Sequence, residues 1–214
     1  MTGDAGLIVQ FLLISPLLLV SLVLHELAHG WVAWRLGDPT AKVHGRLTLN
    51  PVRHLDTWGT LMLAVTYLGS GGSFLFGWAK PVPVDPRYFK DGQRGMAWVG
   101  AAGPLTNWAI VLVTAGLIWL TYSVNLFVTQ MLYTLFALNV ILGTLNLIPI
   151  PPLDGARVVG GFLPRAAYRQ WAELDRYGTY VFIGLFLVMI ALPGFFDATF
   201  GAVLGLASKL LPGG

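Results

Sequence analysis

Long apolar stretches alternate with short polar segments along this chain of 214 residues. Three of them, residues 97–120, 132–148 and 180–192, carry no Asp, Glu, Lys or Arg. They approach the length that a helix needs to cross the hydrocarbon layer of a bilayer. Because lipid offers no partner to an unpaired backbone group, such stretches must be helical. The pattern predicts an all-α polytopic membrane protein whose core is a helical bundle.

The polar interruptions divide the chain into further predicted elements. In chain order these are a first helix over residues 6–36, a short strand over 42–49, helices near 95–122 and 127–147, and a C-terminal helical hairpin over about 178–211. Gly37-Asp38-Pro39 is expected to end the first helix and Asn50-Pro51 the strand, because glycine and proline interrupt regular structure.

Residues 60–84 fit neither a full span nor a polar loop. Residues 60–68 are apolar but too few to cross the bilayer comfortably. The run Gly69-Ser70-Gly71-Gly72-Ser73 then turns the chain toward residues 74–84. We predict a short interfacial or re-entrant β-like segment, because this keeps the basic residues before and after it at one membrane surface.

Composition and charge support the membrane assignment and narrow the chemistry. Only 11% of residues are charged, whereas about 25% is usual in soluble domains. The absence of cysteine excludes disulfides, thiolate ligands and cysteine nucleophiles, so a metal site must use His, Asp or Glu. Of 13 Lys and Arg residues, four lie in residues 35–53, four in 80–94 and four in 157–176. We expect these stretches to be cytoplasmic, in a multi-pass protein of a prokaryotic inner membrane, with no nucleic-acid partner.

One polar cluster interrupts the first apolar helix, His25-Glu26-Leu27-Ala28-His29-Gly30. The spacing places both imidazoles on one helix face, where they can bind one zinc ion beside the intervening carboxylate. Zinc lowers the pKa of bound water, and Glu26 can accept the proton as that water attacks a carbonyl group. Ionisable groups at membrane depth are costly and usually functional. Two hydrogen-bonded core histidines with a buried acid are the structural alternative.

A catalytic zinc ion needs a third protein ligand. His44 and His54 lie in the polar stretch beyond the first helix, where surface or turn roles are expected. Asp154 is better placed, because it follows a hydrophobic helix that prolines end. From its own position, however, Asp154 could equally cap the helix that follows it.

Three motifs lie on separate predicted helices: His25-Glu26-Leu27-Ala28-His29-Gly30, Gly103-Pro104-Leu105-Thr106-Asn107, and the proline-rich residues 146–155. In this order they strongly resemble the site-2 protease family of intramembrane zinc metalloproteases, over about residues 17–157. The resemblance implies one Zn²⁺ per chain, held by His25, His29 and Asp154. It also implies that Glu26 is the catalytic base.

The resemblance assigns roles to three further residues. Asn146 resembles the family asparagine that holds the substrate carbonyl or its oxyanion, a task that suits a side-chain amide. A hydrogen bond from Asn146 to backbone freed by Pro149 is the alternative. For Gly103 and Asn107 we favour structural support, in which glycine permits close helix packing and asparagine bonds to the catalytic helix.

The chain resembles a compact branch of the family, because the interval between its first two motifs is too short for an inserted peptide-binding domain. We interpret residues 1–214 as one domain, with a catalytic core at about 6–157. The expected partners are the lipid bilayer and transmembrane protein or signal-type peptide substrates, cleaved toward the cytoplasmic side. A catalytically silent scaffold and a metal-ion transporter are the competing functions.

Four residues of the β-like segment are candidates for substrate binding: Phe74, Phe76, Gly77 and Trp78. An extended edge here could receive the substrate as an added strand, since the enzyme must replace the backbone bonds of an unwound helix. The alternative is a plain interfacial loop fixed by its aromatic residues.

Overall fold

The computed structural model describes residues 2–192, 194 and 200–212 as a predominantly helical protein. Its helices are α1 (Thr2–Arg35), α2 (Thr40–Val43), α3 (Thr57–Gly69), α4 (Gly92–Thr121), α5 (Leu126–Leu147), α6 (Asp154–Gly160), α7 (Arg165–Glu173), α8 (Gly178–Ala191) and α9 (Ala202–Ser208). Short 3₁₀ turns cover Pro51–Arg53, Pro86–Tyr88 and Leu174–Tyr177. The described part of the chain contains no β-strand.

Within the described residues, three helices are long and apolar enough to cross a membrane: Ala5–Arg35, Gly92–Thr121 and Leu126–Leu147. They confirm the predicted all-α polytopic fold. α8 has 14 residues and a length of about 21 Å, which is less than the bilayer requires. The predicted C-terminal hairpin has its turn around Pro193-Gly194, and residues 193 and 195–199 lie outside the described residues.

Side-chain caps determine where three of the helices begin. Asp56 accepts a hydrogen bond from a backbone N–H in the first turn of α3, and Asp91 and Asn125 do the same for α4 and α5. Such caps satisfy donors that the helix itself leaves unpaired. The bounds predicted for α4 and α5 are therefore close to those observed.

α4 occupies the centre of the bundle and packs against α1, α5 and α6. Between α4, α5 and α9 lies a core of apolar side chains: Val111, Ala115, Ile118, Phe136, Val140, Ala207 and Leu211. Gly143 of α5 lies so close to α4 that an added Cβ would be 3.0 Å from the Trp108 ring. This close packing holds α4 and α5 beside the polar face of α1.

The predicted strand over residues 42–49 is wrong, because Thr40–Val43 forms α2. Asp38 is fully buried, and its carboxylate accepts hydrogen bonds from the N–H of Thr40 at 2.9 Å and from the Thr40 hydroxyl. This side-chain contact favours a helical turn, and the alternating pattern does not reveal it. Gly45, with φ of +63°, then ends the turn.

The predicted β-like segment, residues 74–84, has no helix or regular strand. It follows α3, whose 13 residues extend about 20 Å and are too short for a span. Gly71 and Gly72, with φ of +64° and +85°, turn the chain between them. An isolated antiparallel bridge joins Leu55 to Ala79. The position of this segment at a membrane interface stays a prediction.

Hydroxyl groups of α3 and the turn after it hold one edge of this segment. Thr66 Oγ1 bonds to both the N–H and the C=O of Phe76, at 3.0 and 3.1 Å. Ser70 Oγ bonds in the same way to Phe74, at 2.9 and 3.2 Å. Alternate residues of an extended chain direct their backbone groups to opposite edges, so the backbone groups of Leu75 and Gly77 are expected at the other edge.

Candidate metal centre

Two helices bring three potential ligand atoms together in the core. His25 and His29 project from one face of α1, and Asp154 is the first residue of α6. Asp154 Oδ2 lies 3.1 Å from His25 Nε2 and 3.2 Å from His29 Nε2, and the two nitrogens are 3.0 Å apart. Each of these residues is 5% exposed, and the group could hold a metal ion.

Two glycines allow Asp154 to reach the histidines. Gly155 lies against the end of α5, where an added Cβ would be 2.2 Å from the Leu147 carbonyl oxygen. Gly100 of α4 lies against α6, where an added Cβ would be 2.9 Å from the Asp154 carbonyl oxygen. The start of α6 has no side-chain cap hydrogen bond. The Asp154 carboxylate is therefore directed at the imidazoles rather than at its own helix.

The environment of Asp154 keeps its carboxyl group ionised. Burial disfavours the charged form, but the adjacent His25 and His29 side chains outweigh it and hold the pKa of Asp154 well below its usual range. Arg157, one turn later on α6, lies 3.5 Å from the other carboxylate oxygen. An ionised carboxylate is the form that binds a metal ion.

Gly103 of α4 leaves the space beside the two imidazoles open. An added Cβ would lie 2.5 Å from His29 Nε2 and 2.6 Å from His25 Nε2, so a side chain here would fill the gap. The atoms around this gap are imidazole nitrogens and a carboxylate oxygen, a donor set that suits zinc. Catalytic zinc sites commonly have three such ligands and one open position. The residues present therefore fit a zinc ion.

The second nitrogen of each imidazole has a buried partner. His29 Nδ1 lies 2.6 Å from the Val99 carbonyl oxygen, and His25 Nδ1 lies 2.6 Å from Asn107 Oδ1. A backbone carbonyl only accepts, so Nδ1 of His29 carries a proton, and in the neutral ring the lone pair is on Nε2. Partners of this kind fix ring orientation and tautomer in metal sites. Asn107 thus contacts α1.

Glu26, on the same helix as the two histidines, contacts the extended segment. Its Oε2 accepts a hydrogen bond from the N–H of Val82 at 2.8 Å. The backbone just before Val82 is held by Arg46, whose guanidinium donates to the carbonyl oxygens of Lys80 at 2.5 Å and Pro81 at 3.3 Å. Arg46 is 6% exposed. The segment predicted to bind substrate is therefore tied to the predicted base.

Three other candidates lie outside the cluster. Asn146 Nδ2 donates to the Leu142 carbonyl oxygen of its own helix at 3.0 Å, so this donor is used within α5. His44 is exposed and bonds through Nδ1 to the Thr40 carbonyl oxygen. His54 is fully buried, with Nε2 2.9 Å from a backbone carbonyl oxygen. Neither histidine belongs to the metal-binding group found in the described residues.

The predicted substrate-binding residues form a row along the extended segment. The ring centroids of Phe74 and Phe76 are 6.3 Å apart, and those of Phe76 and Trp78 are 5.9 Å apart. Gly77 lies against α3, since an added Cβ would be 2.6 Å from the Gly59 carbonyl oxygen. A cavity of about 290 Å³ adjoins Gly77 and Trp78, and most of its other lining comes from apolar residues of α1 and α3.

Several polar residues around the site were missed from the sequence. Ser21 lies one turn before His25 on the same face of α1, and Asn139 is a fully buried amide in the apolar α5. Their position within apolar helices could have identified them, because burying a hydroxyl or amide group there is costly. Arg157 could have been noticed because it lies one turn after Asp154.

Comparison with known proteins agrees with this architecture. The family described as Peptidase family M50 matches residues 116–191. "Putative zinc metalloprotease YwhC" of Bacillus subtilis is 38% identical over 178 residues, which cover 79% of this chain and 78% of that protein. "Putative zinc metalloprotease Rip2" of Mycobacterium tuberculosis is 32% identical over 170 residues, covering 79% and 64%. "Zinc metalloprotease MJ0392" of Methanocaldococcus jannaschii is 31% identical over 149 residues, covering 70% and 34%. No solved structure matches the chain.

Apolar helices of spanning length surround a buried group that could hold a metal ion, which places the chain among integral membrane metalloproteins. Its similarity to the Bacillus protein over most of both lengths is more specific. The chain belongs to peptidase family M50, the site-2 protease family, and is a zinc metalloprotease.

Proposed function

We propose that this chain is an intramembrane protease, which hydrolyses peptide bonds within or near transmembrane segments of other membrane proteins. The main support is that the buried His25 and His29 belong to a helix long enough to span the bilayer and lie beside the buried Asp154. His29 lies six residues before Arg35, the last residue of α1, which corresponds to about 9 Å along the axis. Together with the basic loops, this supports a site toward the cytoplasmic side.

One Zn²⁺ per chain is proposed, with His25, His29 and Asp154 as its protein ligands. When bound there, zinc supplies Lewis acidity that polarises a peptide carbonyl and promotes ionisation of water. Glu26, whose Oε2 is held by the Val82 N–H, accepts the proton of the attacking water through its other oxygen. The side chain later returns that proton to the leaving amine.

Asn146 is proposed to stabilise the negative charge that develops on the substrate oxygen. Its Nδ2 now donates to the Leu142 carbonyl oxygen, so side-chain rotation must free this donor when substrate binds. An amide donor suits the task, and one such hydrogen bond typically contributes about 100-fold or more to kcat. The motif position at the end of α5 supports this assignment.

The substrate is proposed to dock as a strand on the edge of residues 74–84 that Leu75 and Gly77 face. The opposite edge is already bonded to α3 and the turn after it, as the contacts of Phe74 and Phe76 show. Strand addition would replace the helical hydrogen bonds that the substrate loses when it unwinds. Pro81 lacks an N–H and would end pairing beyond the aromatic row. The same segment continues to Val82, which bonds to Glu26, so a substrate docked on this edge would lie near the proposed base.

The central test is cleavage in proteoliposomes that contain purified protein and a membrane-spanning test peptide. Wild type should cut the peptide, and mass spectrometry should place the cut within or near its apolar segment. Glu26→Gln should keep zinc but lose cleavage, because the ligands remain while the proton acceptor is lost. His44→Ala, a change at an exposed histidine, is the matched control and should cleave normally. Substantial cleavage by Glu26→Gln would contradict the proposal.

The docking edge is tested separately. Leu75→Pro removes an N–H from the edge proposed for substrate and should strongly reduce cleavage with zinc retained. Phe76→Pro should also reduce cleavage, but through loss of the bond to Thr66. Single cysteines at residues 73–80, in the Glu26→Gln background, should crosslink to a substrate cysteine in an alternating pattern. Uniform weak crosslinking, together with normal cleavage by Leu75→Pro, would rule out strand docking.

A further inference from the structure

A chain of buried hydrogen bonds leads from His25 through three helices. Asn107 of α4 accepts from His25 and donates through Nδ2 to Asn139 Oδ1 of α5 at 2.8 Å. Asn139 Nδ2 in turn donates to Ser21 Oγ of α1 and to the Leu135 carbonyl oxygen, both at 2.8 Å. Asn107, Asn139 and Ser21 are all fully buried. Water therefore does not compete for these hydrogen bonds.

The direction of every bond in this chain follows from one backbone group. The Leu135 carbonyl can only accept, so the amide nitrogen of Asn139 must face it and its oxygen must face Asn107. Asn107 must then present its nitrogen to Asn139 and its oxygen to His25. An oxygen facing His25 Nδ1 requires a proton on that nitrogen. Nε2 is left with the lone pair that a metal ion needs.

We propose that Asn139 is a positioning residue for the metal site, which acts through the Asn107 amide to hold His25 in its metal-binding tautomer. The inference rests on the zinc site of the proposed function. If the Asn107 amide turned over, its nitrogen would face His25, Nδ1 would have to accept, and the proton would move to Nε2. His29 needs no such device, because the Val99 backbone carbonyl fixes its tautomer directly.

Removing the amide of Asn139 should therefore weaken zinc binding at a distance. In Asn139→Leu, the Asn107 amide nitrogen loses its acceptor, which favours the orientation that turns this nitrogen toward His25. We expect zinc affinity to fall by about 10- to 100-fold, because keeping the metal-binding tautomer would leave a buried donor unpaired. Ser21→Ala should lower zinc affinity by much less than about tenfold, because the Leu135 carbonyl alone still orients Asn139.

A second substitution distinguishes orientation from packing. A carboxylate at position 107 has no donor end, so it accepts from His25 Nδ1 whichever way it is turned. In the Asn107→Asp background, Asn139→Leu should therefore lower zinc affinity by less than about threefold. If Asn139 only filled space, its replacement would have the same effect in both backgrounds.

The measurement is the zinc dissociation constant of each purified protein, obtained by competition with a chelator, together with the melting temperature of the metal-free protein. Thr114→Val is the matched control, because Thr114 is 2% exposed and its hydroxyl donates to backbone carbonyls of α4. That control should keep wild-type zinc affinity.

The outcomes separate this inference from the proposed function. Wild-type zinc affinity in His25→Ala would overturn the metal site itself. Loss of zinc in His25→Ala, with wild-type affinity in Asn139→Leu, would overturn only the positioning role. If Asn139→Leu lowered zinc affinity equally in the wild-type and Asn107→Asp backgrounds, the positioning role would also be overturned.

Discussion

Gly103→Ala tests whether the space beside the imidazoles is the metal site. The added Cβ would lie 2.5 Å from His29 Nε2 and 2.6 Å from His25 Nε2, whereas ordinary contacts need about 3.5 Å. The nitrogens must therefore move apart from α4 by about 1 Å, which far exceeds the roughly 0.2 Å that ligand distances tolerate. We expect zinc affinity to fall by more than about 100-fold, equivalent to about 3 kcal/mol.

The assay is chelator competition on purified protein, with cleavage of the membrane test peptide as a second readout. Gly116→Ala provides the matched control, because it makes the same substitution on α4 at a position where an added Cβ meets no atom within 4 Å. That control should bind zinc and cleave normally. Wild-type zinc affinity in Gly103→Ala would contradict a metal site in the space beside Gly103.

Three other changes probe the ligand set, the topology and the base. Asp154→Ala should lower zinc affinity far more than His44→Ala, because the exposed His44 imidazole bonds to its own helical turn. Equal zinc retention in the two variants would remove Asp154 from the ligand set. Single cysteines at Lys42 and Arg87, introduced into this cysteine-free chain, should label from the same side of the membrane. Labelling from opposite sides would mean that α3 crosses. Val82→Pro removes the N–H that holds Glu26, the proposed base. It should lower kcat by about tenfold or more with zinc retained, since a hydrogen bond to a charged group contributes about 1.5 kcal/mol or more. Val82→Ala keeps that N–H, so an equal loss in both variants would contradict the assignment.

The helices that cross the bilayer could be predicted because the information for them is local. Uninterrupted apolar length defines α1, α4 and α5, and Asp91 and Asn125 mark where two of them begin. The prediction of a strand over residues 42–49 was wrong because one local side-chain contact favours a helical turn. A single buried carboxylate, Asp38, starts a helical turn there, and a short alternating pattern has no comparable local support.

The candidate site was only partly predictable, because its partnerships depend on how helices pack. The spacing of His25 and His29 is a property of one helix, but the approach of Asp154 depends on close contacts of α6 with α4 and α5. The bond from Val82 to Glu26 joins residues 56 positions apart. Nothing local in either segment indicates that pairing, so the sequence could identify both segments without joining them.

Zinc K-edge X-ray absorption of the purified protein, with metal content measured on the same sample, observes the proposed zinc site itself. We predict one zinc ion per chain in a shell of nitrogen and oxygen atoms only, at about 2.0–2.2 Å. Outer-sphere scattering should show two imidazoles in the wild type and one in His25→Ala. A wild-type spectrum with fewer than two imidazoles, or a spectrum that His25→Ala does not change, would contradict the proposed ligand set.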